Sequence, residues 1–202
     1  MKNRAKFITI EGIDGSGKST LAQNLTAALI KEGASVILTK EPGGSELGRI
    51  LRQILQEQNE PVCEKAEYLL FAADRAQHYK QVINPALEKG IMVISDRWAD
   101  SSVAYQGYGR GLDTQMIKTV NTWATENIIP DLVFYIQIDA QTAFNRIKQR
   151  KLELTSFEKE KVEFWKRVEH GYEDIFSQRK EVVALDGTMT QEQILQKALK
   201  HF

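Results

Sequence analysis

Apolar residues gather in five short runs along the chain: FITI (7–10), VILT (36–39), IMVIS (91–95), LVFYIQI (132–138) and EVVAL (181–185). The runs are nearly continuous rather than alternating, as in strands buried on both faces of a parallel sheet. Between them the period becomes that of a helix. Leu21, Leu25, Ala28 and Leu29 share one helical face, and Leu47, Ile50, Leu51, Ile54 and Leu55 mark a helix over 45–58. Strand alternating with helix predicts a doubly wound α/β fold. Met116, Ile117, Val120 and Trp123 form a further helical stripe, which reads as core or as a subunit interface. Residues 150 to 169, RKLELTSFEKEKVEFWKRVE, are charge-dense and by composition read as a solvated helical face. No repeat, low-complexity tract or linker divides the chain, so one domain over 1–202 is expected.

Charge changes this picture little. Twenty-seven basic residues balance twenty-seven acidic ones, so no global field draws the chain to nucleic acid or to an anionic membrane, and any cationic site must be local. The single cysteine, Cys63, cannot form an internal disulfide, which points to a reducing, cytoplasmic setting. The apolar run near the start stops at Glu11, too short for a signal peptide, and no run approaches the length of a membrane span.

In open α/β sheets ligands bind beyond the carboxyl ends of the strands. The segments there are EGIDGSGKS, KEPGG, DRWADSS, DAQ and DGTMT. The first contains G-x-x-x-x-G-K-[ST] from Gly12 to Ser19, set between a strand and a helix as a phosphate cradle requires. Glycines at 12, 15 and 17 let the backbone close around a polyphosphate, Lys18 reaches the β and γ phosphates, and the Ser19 hydroxyl is placed to ligate Mg²⁺. Ile13, Asp14, Ser16 and Thr20 complete the expected ATP loop. No guanine-reading N-K-x-D segment exists, and the chain is short for a motor, so a small nucleotide or nucleoside kinase fits best.

A kinase needs an acceptor site. Glu41-Pro42-Gly43-Gly44 follows the second strand and by itself reads as a strand-to-helix turn with an incidental Glu. Arg52 lies at the edge of the apolar stripe of its helix and can face a cleft, whereas Arg49 points to water. Phe71 and Arg75 are four apart and share a helical face. An aromatic ring beside a guanidinium suits a flat heterocycle, although by spacing alone the pair reads as a core Phe next to an exposed Arg. Asp96-Arg97 ends a buried strand at the phosphate-binding edge of the sheet. Cys63, His78, His170 and His201 show no catalytic arrangement.

EGIDGSGKST, EPGG, FAADR and DRWADSSVAYQGYGRG, in this order and spacing, resemble the bacterial thymidylate kinases, and the likeness extends through PDLVFYIQID and LDGT. The resemblance implies a P-loop nucleoside monophosphate kinase fold with a five-stranded parallel sheet, a homodimer, and transfer of the γ-phosphoryl group of ATP to dTMP with Mg²⁺ as cofactor. It also implies roles. Phe71 stacks on thymine, Arg75 bonds its exocyclic oxygen, and Ser102 and Gln106, with Ser101 beside them, recognise the acceptor. Tyr105 lies beside the deoxyribose, and Glu41 with Pro42 lies near the sugar 3′-hydroxyl and the acceptor phosphate. Arg52 and Arg97 hold that phosphate, Asp96 organises Mg²⁺, and Asp14 faces the acceptor side. Some members of the family carry an Arg in the P-loop where this chain has Gly15; others supply it from a lid. Gly15 therefore implies a lid cation within 146–160, with Arg150 and Lys151 as candidates and Arg146 against the adenine or the phosphates. The Asp-Arg pair of the familiar lid is replaced here by Thr155-Ser156, so either Arg150 or a cation elsewhere does that work. A deoxynucleoside kinase and a non-catalytic ATP switch are the rival readings.

Overall fold

The computed structural model describes residues 5–56, 62–149, 155, 157, 158 and 160–202. The chain begins with β1 (Phe7–Glu11), α1 (Lys18–Lys31), β2 (Val36–Lys40), α2 (Glu46–Gln56) and α3 (Glu64–His78). A π-helical turn over Tyr79–Ile83 leads into α4 (Asn84–Glu88), then β3 (Met92–Asp96) and a short α5 (Ala99–Ser102) that runs into a second π-helical stretch, Val103–Gly109. α6 (Thr114–Ala124), β4 (Leu132–Gln137), α7 (Ala140–Gln149), α8 (Val162–Phe176), β5 (Val182–Asp186) and α9 (Gln191–Leu199) follow.

The five strands form one parallel sheet in the order β2-β3-β1-β4-β5. This is the sheet that the apolar runs and the resemblance lead one to expect. Ile10 lies in register with Asp96, as does Lys40, so the carboxyl ends of β1, β2 and β3 finish side by side. β1 is buried throughout. β2 and β5, in contrast, are half exposed because they are the sheet edges, and only the three inner strands are covered on both faces.

Alternating side chains of β1 divide the core. Ile8 and Ile10 pack with Leu21, Leu25 and Leu29 of α1 and Ile194 and Ala198 of α9 on one face of the sheet. Phe7 packs on the other face with Val93, Ile83 and Trp98. Val133 and Tyr135 of β4 join Phe164, Trp165, Val168 and Tyr172 of α8 in a third cluster. The charged tract over 150–169 is thus not simply a solvated face: from Lys161 onward its apolar residues recur at helix spacing and bury that side of α8. On α2, Leu51 and Leu55 are buried while Leu47 and Ile50 stand exposed. The helical stripe on α6 is similarly split, with Ile117 buried and Trp123 82% exposed.

Candidate active site

After β1 the chain turns through residues 12 to 17 into α1, whose preceding residue, Gly17, has φ 103. No acidic side chain occupies the first turn of α1, so the positive end of the helix is uncompensated and faces an anion site. Lys18 is buried and donates to the Ile13 carbonyl at 2.8 Å. Burial lowers its pKa to about 8, and the nearby Arg97 guanidinium adds to the fall. Asp14 lies 3.8 Å from Lys18 Nζ and accepts a short bond from Arg97 Nη2.

Ser19 Oγ donates to Asp96 Oδ2 at 2.5 Å. The other carboxylate oxygen, Asp96 Oδ1, is buried with no hydrogen-bond partner among the described residues. A hydroxyl and an under-used carboxylate oxygen beside a phosphate cradle fit Mg²⁺, a hard cation that takes one or two protein oxygens and completes its shell with water and phosphate.

Arg97 follows Asp96 with φ 77, a left-handed conformation uncommon outside glycine. Its own N–H donates to the Ile10 carbonyl at 3.0 Å and its carbonyl accepts from Ser95 Oγ at 2.7 Å. The guanidinium donates to Gly12 O, Ser101 Oγ, Tyr172 Oη and Tyr105 Oη at 2.9 to 3.2 Å. Backbone strain of this kind persists where surrounding bonds over-determine it.

Beneath this loop sits Glu11, fully buried, which accepts from Trp98 N–H at 2.7 Å, Ser101 Oγ at 2.6 Å and Tyr172 Oη at 3.0 Å. Burial pushes its carboxyl up to about 7, with the Asp100 carboxylate adding to the rise against Ser101, Arg97 and Tyr172. An ordinary Glu ionises near 4.5, so over that interval the folded protein keeps a proton that the unfolded chain has released. Stability attributable to Glu11 is therefore greatest below pH 4.5 and declines as pH rises through about 7. We expect Glu11→Gln to remove that decline, worth about 3 kcal/mol in total. Denaturant melts of both proteins between about pH 5 and pH 8 measure it, and parallel stability curves would contradict it.

The other half of the cleft belongs to α3 and the π-helical stretch. Arg75 is 1% exposed; Nε donates to Glu41 Oε2 at 2.9 Å, Nη1 to Asn121 Oδ1 at 2.7 Å and Nη2 to Ser102 Oγ at 2.9 Å. Glu41 is itself buried, with His78 Nδ1 3.0 Å from Oε1 and Thr39 Oγ1 2.6 Å from His78 Nε2. One tautomer satisfies this chain, with Nδ1–H donating to Glu41 and Nε2 accepting from Thr39. Glu41 is therefore more than an incidental turn residue. Gln106 Nε2 donates to Glu67 at 2.9 Å, and Arg110 closes on the same carboxylate at 3.0 Å. Arg52 donates to the Pro42 carbonyl at 3.0 Å, while Arg49 is exposed.

One cleft of about 700 Å³ connects the two halves. Along it lie Asp14, Gly15, Gly17, Lys18, Ser19, Thr20 and Asp96 from the phosphate side, with Arg97 and Tyr105 between. Glu41, Pro42, Arg52, Phe71, Arg75, Ser101, Ser102 and Gln106 line the far end. Ser16 and Arg146 fall instead on a second hollow of about 400 Å³ across the P-loop, closed by Gly187, Met189, Thr190 and Gln191 after β5. Gly12 and Ile13 contribute backbone carbonyls beneath the loop, to Arg97 and Lys18. Arg150, Lys151 and Ser156 lie outside the described residues; Thr155 lines the main cleft.

Sequence reasoning passed over several residues here. Phe157 is buried, lines the cleft and packs 5.9 Å from Phe71 and 5.8 Å from Tyr105. Its signal was an aromatic residue inside a charged tract, at odds with a fully solvated face. Glu11, Asn121 and Tyr172 had no signal of their own, since each acts through partners distant in the chain.

A parallel sheet in this strand order, a P-loop after its central strand and a polar cleft that runs on from it along the same edge define a P-loop nucleoside monophosphate kinase. The family model described as thymidylate kinase matches residues 10–198, and the chain belongs to that family. It is 44% identical over 193 residues to the thymidylate kinase of Halothermothrix orenii, covering 95% of this chain and 93% of that protein. It is 42% identical over 196 residues to that of Fervidobacterium nodosum, covering 97% and 98%. With the thymidylate kinase of Carboxydothermus hydrogenoformans it shares 46% identity over 169 residues, or 84% and 83% of the two chains.

Proposed function

We propose that the chain transfers the γ-phosphoryl group of ATP to dTMP, giving dTDP and ADP, a step in the supply of dTTP. The observation that carries this reading is the single cleft joining Lys18 and Ser19 to Phe71, Arg75, Ser102 and Gln106, in a member of the thymidylate kinase family. A deoxynucleoside kinase would leave Arg52 and Arg97 without an acceptor phosphate to hold.

In this reading ATP lays its phosphates over residues 12 to 20, and its base enters the second hollow beside Arg146. The thymine of dTMP lies against Phe71 with Arg75, Ser102 and Gln106 at its polar edge, and Tyr105 lies beside the deoxyribose. Arg52 and Arg97 hold the dTMP phosphate, with Ser101 supporting Arg97. An oxygen of that phosphate attacks the γ-phosphorus while the bond to the β-bridging oxygen breaks and ADP leaves. The attacking oxygen is already anionic, so no general base is required; Glu41 and Asp14 act as positioning groups. Charge that spreads over the transferring group is stabilised by Lys18 and Arg97. Ser19 and Asp96 would hold Mg²⁺, which neutralises phosphate charge when bound. Arg150, from the lid segment, is proposed as the cation that replaces the P-loop Arg.

We also propose a homodimer formed through α2, α3 and α6. α3 packs against both other helices, and together they expose Leu47, Ile50, Leu69, Met116 and Trp123. A solution mass equal to one chain, 23.0 kDa, would overturn it. No described helix is long and apolar enough to cross a membrane, and the single exposed thiol of Cys63 suits a reducing cytoplasm.

The test of function is ADP release with ATP and, in turn, dTMP, dUMP, UMP, dCMP, dAMP and thymidine. Preference for dTMP is expected. Turnover on thymidine alone would identify a nucleoside kinase, and silence on every acceptor an ATP switch.

A further inference from the structure

Asn121 stands on α6, outside the cleft, yet it is 4% exposed and both ends of its amide are hydrogen-bonded. Oδ1 accepts from Arg75 Nη1 at 2.7 Å and lies 3.2 Å from the Tyr68 hydroxyl. Nδ2 donates to the Ala99 carbonyl at 3.1 Å. The Tyr68 proton has a nearer acceptor in the Ile117 carbonyl at 2.9 Å, but the Arg75 donor on one side and the Ala99 carbonyl on the other still allow only one orientation of the amide. The residue therefore pins α6 to α3 and to the start of α5 at once.

Arg75 has no freedom of its own to find a ligand. Glu41 holds Nε, Ser102 holds Nη2 and Asn121 holds Nη1, so the plane of the guanidinium is set by three acceptors from three elements. Glu41 and Ser102 themselves line the cleft and are available to substrate, whereas Asn121 does not line it. Of the three, Asn121 alone can be changed without touching the pocket wall.

We propose that Asn121 is a positioning residue for acceptor-base specificity, fixing Arg75 so that its remaining N–H groups meet the exocyclic oxygen of thymine and reject an amino group in its place. The inference rests on the reading of Arg75 as the group that bonds that oxygen. A buried donor aimed at an oxygen discriminates strongly only when it cannot swing aside, because an analogue presenting N–H then leaves both groups unsatisfied.

The experiment compares kcat/KM for dTMP with that for 5-methyl-dCMP, which carries an amino group where thymine carries the oxygen. Asn121→Leu keeps the branched shape, at a larger volume, but removes both the acceptor and the donor. It is expected to reduce discrimination about tenfold or more, with the KM for ATP unchanged. Asn121→Asp retains an acceptor for Arg75 and should keep discrimination near that of the unmodified enzyme. Where the Leu protein fails to fold, the smaller Asn121→Ala, which likewise removes the acceptor, carries the same expectation and the same test. In the parent and in Arg75→Met the same ratio tests the underlying reading. Discrimination retained in Arg75→Met removes Arg75 as the base reader, and the proposal with it. Discrimination lost in Arg75→Met but kept in folded Asn121→Leu, or lost in folded Asn121→Asp, overturns the role of Asn121 alone. If both residues act as one unit, the double variant Arg75→Met with Asn121→Leu discriminates no worse than Arg75→Met.

Discussion

Arg97→Ala is expected to lower kcat/KM for dTMP by about a thousandfold, with most of the loss in the acceptor half of the reaction. Arg97 lies between the P-loop and the acceptor pocket, with Gly12 O and Asp14 on one side and Ser101, Tyr105 and Tyr172 on the other. In the proposed reading a cation there meets both phosphates at once. Its removal also leaves the Asp14 carboxylate facing the incoming dTMP phosphate without the positive charge between them, which adds repulsion to the lost attraction. Arg97→Lys should recover little, because one ammonium cannot satisfy acceptors arranged around a planar fork. Steady-state kinetics with each substrate varied, and thermal melts to establish folding, measure the effect. A loss smaller than about tenfold in a folded variant would remove Arg97 from the reaction.

Gly15→Arg is the second large effect, and it goes against intuition. The family resemblance implies members with an Arg at this place, which suggests that installing one should make the proposed lid cation dispensable. In this chain Gly15 has φ +81, and a Cβ built on it would stand 2.7 Å from the carbonyl oxygen of Ala143, a backbone atom of α7. Side chains larger than hydrogen are strained in that conformation, and helix backbone cannot yield as a flexible side chain can. We expect kcat to fall by about a hundredfold or more, since displacement of the loop by even 1 Å misplaces the reacting phosphates. The check is to combine Gly15→Arg with Arg150→Ala. Arg150→Ala alone should lower kcat by about 10- to 1000-fold. Recovery of activity in the double variant would show that α7 moves aside and that the close approach is no obstacle.

Much of the fold could be read from hydrophobic periodicity. The five apolar runs match β1 to β5 within a residue or two, and the helix over 18–31 follows from its apolar face. Edge position could not be read, because VILT and EVVAL look as apolar as FITI, and exposure of β2 and β5 depends on strand order. Composition misled at 161–169, where charge density hid the buried side of α8. Arg75 illustrates the same limit within the site. Spacing placed it beside Phe71 but read it as exposed, whereas it is 1% exposed because Glu41, Asn121 and Ser102 replace its water.

The sequence by itself determined the phosphate cradle, since residues 12 to 19 carry glycines, lysine and hydroxyl in one continuous segment whose chemistry needs no distant partner. Only the tertiary structure decided what stands behind the reacting groups. Glu11 beneath Arg97, Asn121 behind Arg75 and α7 against Gly15 are contacts across 87 to 161 positions of chain in the first case and 46 in the second, where local periodicity carries no information. Their partners were chosen by sheet order and helix packing, and burial then obliged each polar group to find them.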